Sequence, residues 1–207
     1  MVILGLTGSI AMGKTEAAKA FRRLGVQVHD ADKVVHVLIG QNGVAVEKVG
    51  FEFPGVVQDE RVDRIALGKR VFGDSSALKI LEGILHPLVR DAERRFLSAA
   101  VRRGDPLVVL DIPLLFETNG EDRCDLVAVV SAPARIQEAR VLARAGMTVD
   151  RLSRVRARQM PDAEKKERAD FIIPTGIGKA HSLRVIKNIA TVAKYSRGQK
   201  WGPGYGS

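Results

Sequence analysis

The chain has 207 residues, of which 45% are hydrophobic and 28% charged, and this composition is typical of a folded domain with one hydrophobic core. No apolar run approaches the ~18 residues needed to cross a bilayer, and the first residues lack the pattern of a signal peptide, so we expect neither a membrane span nor a leader. Cys124 is the only cysteine, which excludes an intramolecular disulfide and favours a reducing, cytoplasmic location.

The net charge of +9 comes from the C-terminal third of the chain. Residues 134–200 carry 16 Lys/Arg against 6 Asp/Glu, whereas the preceding residues carry 17 against 18. Such a basic block could face nucleic acid, gather a phosphorylated ligand, or form a solvated face.

The first thirty residues predict a strand, a helix and a second strand. Val2–Leu6 is an apolar run typical of a buried strand, and Lys14–Leu24 has its apolar residues on one helical face. Gly25 follows at the position where helices end, and a strand of alternating residues then stops at Asp30. This order predicts a βαβ unit.

The rest of the chain continues the alternation. The segment from about Lys33 to Arg103 is mostly helical in pattern, with Pro87 placed to open a helix. Later strands are predicted at Leu107–Leu110, Leu126–Val130 and Phe171–Ile173, and later helices from Pro133 to Gly146, after Thr148, and over about Ala180–Tyr195. We therefore expect an α/β fold, a parallel sheet covered on both faces, with a disordered tail from Gly198 to Ser207.

A phosphate-binding sequence follows the first predicted strand. It matches G-x-x-x-x-G-K-[ST] in full, as Gly8-Ser9-Ile10-Ala11-Met12-Gly13-Lys14-Thr15. The two glycines let the backbone wrap a polyphosphate, and the helix that begins at Lys14 directs its free N–H groups toward the phosphates. Lys14 is suited to reach the β and γ oxygens of ATP, and the Thr15 hydroxyl to bind Mg²⁺. The sequence therefore predicts nucleotide binding.

Aspartates end two of the predicted strands. Asp30 and Asp32 lie after the second strand, where a carboxylate could accept a proton from an acceptor hydroxyl, hold Mg²⁺ through water, or do both. The alternative is that both cap the following helix; for catalysis Asp32 is favoured over Asp30. Asp111 ends the strand Leu107–Leu110, resembles a Walker-B acid, and is the competing base or metal ligand.

The phosphate loop leaves the type of reaction open. The chain has no Asn-Lys-x-Asp sequence for reading guanine, and it is shorter than most motor and transporter ATPases. A small P-loop kinase is therefore favoured. A nucleotide-dependent nucleic-acid-binding protein is the alternative from another class, although the arginines from Arg140 to Arg158 lack the interleaved aromatic residues that base stacking needs.

Several further motifs resemble the dephospho-CoA kinase family, in the order in which that family has them. They are Gly5-Leu6-Thr7-Gly8-Ser9 with Met12-Gly13-Lys14-Thr15, Asp30-Ala31-Asp32, Leu67-Gly68 with Val71-Phe72, Leu85-His86-Pro87, Asp111-Ile112-Pro113-Leu114-Leu115-Phe116-Glu117, Gln137 with Arg140 and Arg144, Arg158-Gln159-Met160, and Lys165 or Lys166 before Ala169-Asp170-Phe171. Most of the chain is covered, and the set is more specific than the phosphate loop alone.

The resemblance implies ATP-dependent phosphorylation of the ribose 3′-hydroxyl of dephospho-CoA, which completes coenzyme A synthesis. It implies a P-loop core in a single domain over residues 1–197, with a CoA-binding helical region at about 33–103 and a helical lid at about 134–168. Mg²⁺ is the implied cofactor and ATP the co-substrate, with no nucleic-acid or membrane partner. A kinase of another nucleoside or nucleotide would keep the loop and Asp32 without needing the His86-Pro87 and Pro113–Glu117 motifs.

Carried over position by position, the resemblance assigns four sets of residues. The catalytic residues are Asp32, Lys14 and Arg140. The ATP-binding residues are Gly8, Ala11, Met12, Gly13, Lys14, Thr15, Glu16, Arg144 and Thr175. The substrate-binding residues are Asp32, His86, Pro113 and Leu114. The Mg²⁺ ligand is Thr15, joined by Asp32 or Asp111 through water.

Some positions depart from the family pattern or have a second interpretation. Many members have glycine or a hydroxyl residue where this chain has Ala11 and Glu16, and Pro174-Thr175-Gly176 replaces a common Asp-Asn-x-Gly. His86 is equally compatible with a helix-entry role, and Lys165 and Lys166 are expected to face solvent.

Overall fold

The computed structural model describes residues 1–202 and 205, and these form two compact units. The first unit comprises Met1–His29 and Leu97–Ser207, and the second comprises Asp30–Phe96. Among the described residues the strands are β1 (Val2–Thr7), β2 (Gln27–Asp30), β3 (Val57–Gln58), β4 (Arg61–Val62), β5 (Leu107–Asp111), β6 (Leu126–Ser131) and β7 (Phe171–Pro174). The α-helices of the same residues are α1 (Lys14–Arg23), α2 (Ala31–Leu38), α3 (Val46–Glu52), α4 (Arg64–Val71), α5 (Ser75–Arg103), α6 (Ala134–Leu142), α7 (Val149–Arg156), α8 (Asp162–Glu167) and α9 (Lys179–Tyr195).

The first unit is built on a sheet with the strand order β2-β5-β1-β6-β7. β1 pairs in parallel with both β5 and β6, and β7 pairs in parallel with β6. Every residue of β1 and β5 is buried, as expected for central strands of a sheet that is covered on both faces. Side chains of α1 and α9, including Phe21, Ile186 and Ile189, share one apolar core with these strands. The predicted α/β class with a parallel sheet is confirmed.

The second unit has a hydrophobic core of its own. Residues of α2, α3, α4, α5 and the short β3–β4 hairpin share this core, and Val49, Val56 and Leu67 are among its buried members. The hairpin turns at Asp59 and Glu60, which both have positive φ, as a two-residue hairpin turn of this kind requires. This segment was predicted to be mostly helical, and the hairpin was not anticipated.

The prediction that Pro87 opens a helix is wrong. Pro87 lies well inside the continuous helix α5. A proline there removes one backbone hydrogen bond and costs about 3 kcal/mol. The adjacent Ile84 and Leu85 are buried in the core of the second unit, and their packing keeps the helix continuous.

The later helix boundaries follow the sequence signals with small shifts. Thr148 caps α7 as predicted, since its Oγ1 accepts a hydrogen bond from the Arg151 N–H at 3.2 Å. Pro133 precedes α6 as its cap residue, and α6 ends at Leu142 instead of extending to Gly146.

The chain end was predicted to be disordered from Gly198. The backbone N–H groups of Gln199 and Lys200 donate hydrogen bonds to Asp125 Oδ1 at 2.6 and 2.9 Å. Residues 203–204 and 206–207 of the predicted tail lie outside the described residues. No helix within the described part of the chain is long and apolar enough to cross a membrane.

Candidate active site

The phosphate loop lies where the motif requires it, between the end of β1 at Thr7 and the start of α1 at Lys14. Gly8 passes so close to β6 that a Cβ at this position would lie 2.3 Å from Val130 Cγ2, and only glycine fits. Gly13 caps α1 with a φ of 98°, a conformation that other residues adopt at a cost. Both glycines of the motif are therefore explained by local geometry.

Ala11 is the strained residue of the loop. Its φ is 58°, in the left-handed region that costs a residue with a Cβ about 1–2 kcal/mol. The neighbouring Met12 is buried, and its Sδ accepts a hydrogen bond from the Ala132 N–H at 3.1 Å. A conformation of this kind persists only where surrounding contacts hold it.

Lys14 and Asp111 form an ion pair at the start of α1. The distance from Lys14 Nζ to Asp111 Oδ1 is 2.5 Å, and the exposed fractions of the two side chains are 16% and 4%. The structure therefore brings the loop lysine together with the aspartate that ends β5. Thr15, one residue further, is exposed.

Glu16 follows Thr15 and pairs with a cation of its own helix. Its carboxylate accepts a hydrogen bond from Lys19 at 2.8 Å, and this bond, with the charge of Lys19, lowers the pKa of Glu16. Glu16 is exposed and carries its negative charge in the first turn of α1.

Arg140 and Thr175 hold the loop from the side of α6 and β7. Arg140 Nη2 donates to the Thr175 carbonyl at 2.7 Å, and Nη1 donates to Thr175 Oγ1 at 3.1 Å. The Thr175 hydroxyl donates in turn to the Met12 carbonyl at 2.6 Å. Arg140 Nη1 also lies 3.5 Å from the Ala11 carbonyl. Arg140 and Thr175, two residues singled out from the sequence, therefore contact the loop together.

Two glutamines bind the peptide groups of Ile10. The Ile10 N–H donates to Gln159 Oε1 at 3.1 Å, and Gln137 Nε2 donates to the Ile10 carbonyl at 3.0 Å. Gln137 is buried, and its Oε1 accepts a hydrogen bond from Arg156 Nη2 at 2.7 Å. The basic segment after α6 is thus attached to the phosphate loop.

Asp30 and Asp32, of which the sequence favoured Asp32 for catalysis, have different positions at the start of α2 in the second unit. Asp30 is the cap of α2 and accepts a hydrogen bond from the Lys33 N–H at 3.0 Å. Asp32 lies in the first turn and is exposed. The capping interpretation therefore holds for Asp30, while the Asp32 carboxylate is left accessible.

A pocket of about 440 Å³ lies in the second unit. Its lining includes three side chains that can carry positive charge, His36, Arg61 and Arg64. His36 stands four residues after Asp32 on α2, so both side chains share one face of that helix, about one turn apart.

The remaining predicted residues lie on other elements of the two units. His86 is exposed on α5 in the second unit. Pro113 and Leu114 follow β5 in the first unit, where the Pro113 carbonyl accepts a hydrogen bond from Thr7 Oγ1 at 3.0 Å. Arg144 is exposed just after α6.

Comparison with known families agrees with these features. The family model of dephospho-CoA kinase matches residues 2–178. The chain belongs to the dephospho-CoA kinase family.

Relatives of this family are similar over nearly the whole chain. A dephospho-CoA kinase from Paramagnetospirillum magneticum is 62% identical over 95% of this chain and 93% of its own length. A second, from Rhodospirillum rubrum, is 53% identical over 93% of this chain and 92% of its own length.

Solved structures show the same fold. A crystal structure from Thermus thermophilus has a TM-score of 0.80 at 34% identity, covering 95% of this chain and 98% of its own. Dephospho-CoA kinase from Campylobacter jejuni has a TM-score of 0.62 at 24% identity, covering 92% of this chain and 96% of its own.

Lys165 and Glu117 form an ion pair that the sequence of this dephospho-CoA kinase family member did not predict. Lys165, expected to face solvent, is completely buried, and its Nζ lies 2.8 Å from Glu117 Oε1. The same Glu117 oxygen accepts a hydrogen bond from the Met160 N–H at 2.8 Å. The expectation failed because Glu117 is far away along the chain. Lys166 is partly exposed, with its Nζ 3.6 Å from Asp162.

Proposed function

We propose that this protein transfers the γ-phosphoryl group of ATP to the ribose 3′-hydroxyl of dephospho-CoA, and so forms coenzyme A in the last step of its synthesis. The observation that carries the proposal is a complete phosphate loop, with Lys14 beside Asp111, in a chain that the dephospho-CoA kinase family model matches over residues 2–178. Two relatives named dephospho-CoA kinase, 62% and 53% identical to this chain, support the choice of dephospho-CoA as the acceptor.

On the nucleotide side, the loop from Gly8 to Thr15 binds the ATP phosphates through its backbone N–H groups and the positive end of α1. Lys14 leaves Asp111 for the β and γ oxygens. Arg140 and Thr175 hold the loop in shape, and Arg140 also supplies positive charge to the transferring phosphoryl group. Arg144 and Glu16 line the nucleotide site. Phosphoryl transfer needs little covalent help, so positioning and positive charge supply most of the rate enhancement.

Mg²⁺ suits the oxygen donors of this site. In the described part of the chain no cluster of three or more His, Cys, Asp or Glu side chains could enclose a metal ion. Mg²⁺ commonly binds through one or two protein oxygens together with substrate phosphates, and the Thr15 hydroxyl and the Asp111 carboxylate are of that type. Bound Mg²⁺ neutralises charge on the β and γ phosphates.

On the acceptor side, Asp32 receives the proton of the 3′-hydroxyl. Its carboxylate is accessible, whereas the Asp30 side chain is used as a helix cap. His86, Pro113 and Leu114 bind other parts of dephospho-CoA.

The pocket of the second unit is suited to the diphosphate of dephospho-CoA. Its three potential cations lie beside the helix face that carries Asp32, and the only acidic side chain of its lining, Asp63, is occupied as the N-cap of α4. In dephospho-CoA the diphosphate is attached to the same ribose as the acceptor hydroxyl. Asp32 and His36 are one helical turn apart, so the acceptor hydroxyl can lie at Asp32 while the diphosphate lies at His36.

Replacing the pocket arginines is expected to weaken acceptor binding selectively. Arg61→Ala and Arg64→Ala should each raise the KM for dephospho-CoA about tenfold, because each removes a hydrogen bond to a charged group. The KM for ATP should not change. Lys69→Ala is the matched control, since Lys69 is exposed on the same helix as Arg64 but does not line the pocket. Steady-state kinetics with each substrate varied in turn would measure both constants; equal effects from all three variants would contradict the assignment.

The deciding experiment is direct. The purified protein is incubated with ATP, Mg²⁺ and dephospho-CoA, and the product is identified by mass. We expect coenzyme A and ADP in equal amounts. ATP binding without phosphoryl transfer to dephospho-CoA would refute the proposed acceptor, and a panel of nucleosides and nucleotides would then be assayed.

The nucleic-acid alternative is less well supported. Cations of the basic C-terminal third are engaged with the protein itself: Arg140 with Thr175, Arg151 with the Gly146 carbonyl, Arg156 with Gln137, and Arg168 with Glu121 and the Phe116 ring. We propose a cytoplasmic enzyme without a nucleic-acid partner. Salt-sensitive binding to a random oligonucleotide would be the contrary result.

A further inference from the structure

Ile10 is held on both sides of its backbone by side chains from outside the loop. Gln159 accepts from its N–H and Gln137 donates to its carbonyl, at 3.1 and 3.0 Å. Backbone groups of a phosphate loop are normally left for the nucleotide or for the loop itself. Two amide side chains, from separate places in the chain, are used here to fix one residue.

Each glutamine is itself held in place. Gln137 is buried and its oxygen accepts from Arg156, so its amide nitrogen is turned toward Ile10. Gln159 lies next to Met160, whose N–H donates to Glu117, and Glu117 pairs with the buried Lys165. The contact of Gln137 is therefore supported from α7, and that of Gln159 from the segment after β5 and from α8.

The loop needs this support because of Ala11. Ala11 follows Ile10 and has a φ of 58°, which an alanine adopts only where its neighbours hold it. A glycine would adopt the same backbone conformation without that cost. We propose that Gln159 and Gln137 are positioning residues, which hold Ile10 and thereby keep the left-handed turn at Ala11 open for the phosphates of ATP.

This inference rests on the proposed function only in that the bound anion is a nucleotide polyphosphate. The test therefore uses binding of ATP alone as well as turnover. If wild type binds ATP but makes no coenzyme A, the proposed acceptor fails while the binding test of the loop remains valid.

Gln159→Met preserves the length of the side chain and removes its acceptor oxygen. We expect the Kd for ATP, measured by calorimetry, and the KM for ATP to rise about tenfold, because the Ile10 N–H loses its partner. The KM for dephospho-CoA should stay within twofold of the wild-type value, and the midpoint of urea unfolding should be unchanged. Gln27→Met, at an exposed glutamine of β2, is the matched control and should change neither constant.

A second pair of variants separates positioning from a general structural role. Gln137→Met with Gln159→Met should lose less ATP affinity than the product of the two single losses, since both act on the backbone of one residue, Ile10. Ala11→Gly in the Gln159→Met background should recover at least half of the lost affinity on a logarithmic scale. An unchanged Kd in Gln159→Met, equal losses for both substrates, or no recovery by Ala11→Gly would overturn the proposal.

Discussion

Asp32→Asn is expected to lower kcat for coenzyme A formation about a thousandfold, while ATP still binds with its wild-type Kd. An amide of the same size keeps the shape of the side chain but cannot take the proton of the acceptor hydroxyl, and positioned general bases contribute on this order. Rapid-quench assays of kcat, together with calorimetry of ATP binding, would measure the two quantities separately.

Asp30→Asn is the matched control for this variant. Asparagine caps helices nearly as well as aspartate, so α2 should keep its first turn and activity should fall by less than about threefold. The proposed role of Asp32 would be refuted if Asp32→Asn retained more than a tenth of wild-type kcat, or if Asp30→Asn were the more damaging change. Asp111→Asn would then be the next variant to assay.

Lys165→Met is expected to reduce the free energy of unfolding by about 3 kcal/mol. Methionine fills a similar volume, but it leaves the Glu117 carboxylate beside an apolar group, and breaking a buried ion pair by removing one partner typically costs 3–5 kcal/mol. Glu117 is 15% exposed, which places the expected cost at the lower end of that range. Urea unfolding followed by circular dichroism would measure the change.

Two further variants make this prediction specific. Lys166→Met, at the neighbouring partly exposed lysine, should cost less than about 1 kcal/mol. Combining Lys165→Met with Glu117→Gln should recover most of the loss, because an uncharged amide can still accept from the Met160 N–H. Equal destabilisation by Lys165→Met and Lys166→Met would show that the burial of the Lys165–Glu117 ion pair does not determine the loss of stability.

The sequence predicted best those features whose causes are local. The phosphate loop is one unbroken motif, and the continuous apolar runs of β1 and β5 predict buried parallel strands. Thr148 was correctly predicted as a cap because capping involves only the next few residues. The family, too, could be inferred from motifs that each lie within a few residues.

Features that depend on distant contacts could not be predicted in this way. Pro87 has the local signature of a helix start, and only the packing of Ile84 and Leu85 shows that the helix continues through it. Lys165 was expected to face solvent because its partner, Glu117, is remote in sequence. Gln137 and Gln159 were noted as motif matches without a role, since their common target, Ile10, is visible only in the fold.

The separate hydrophobic core of the second unit has a consequence for how such enzymes diversify. The chain leaves the first unit after His29 and returns at Leu97, and the residues between them form a hydrophobic core of their own. Substitutions there need not preserve the packing of the sheet that carries the phosphate loop. Selection can therefore change the second unit, where we propose that the acceptor binds, while the unit that carries the phosphate loop stays unaltered.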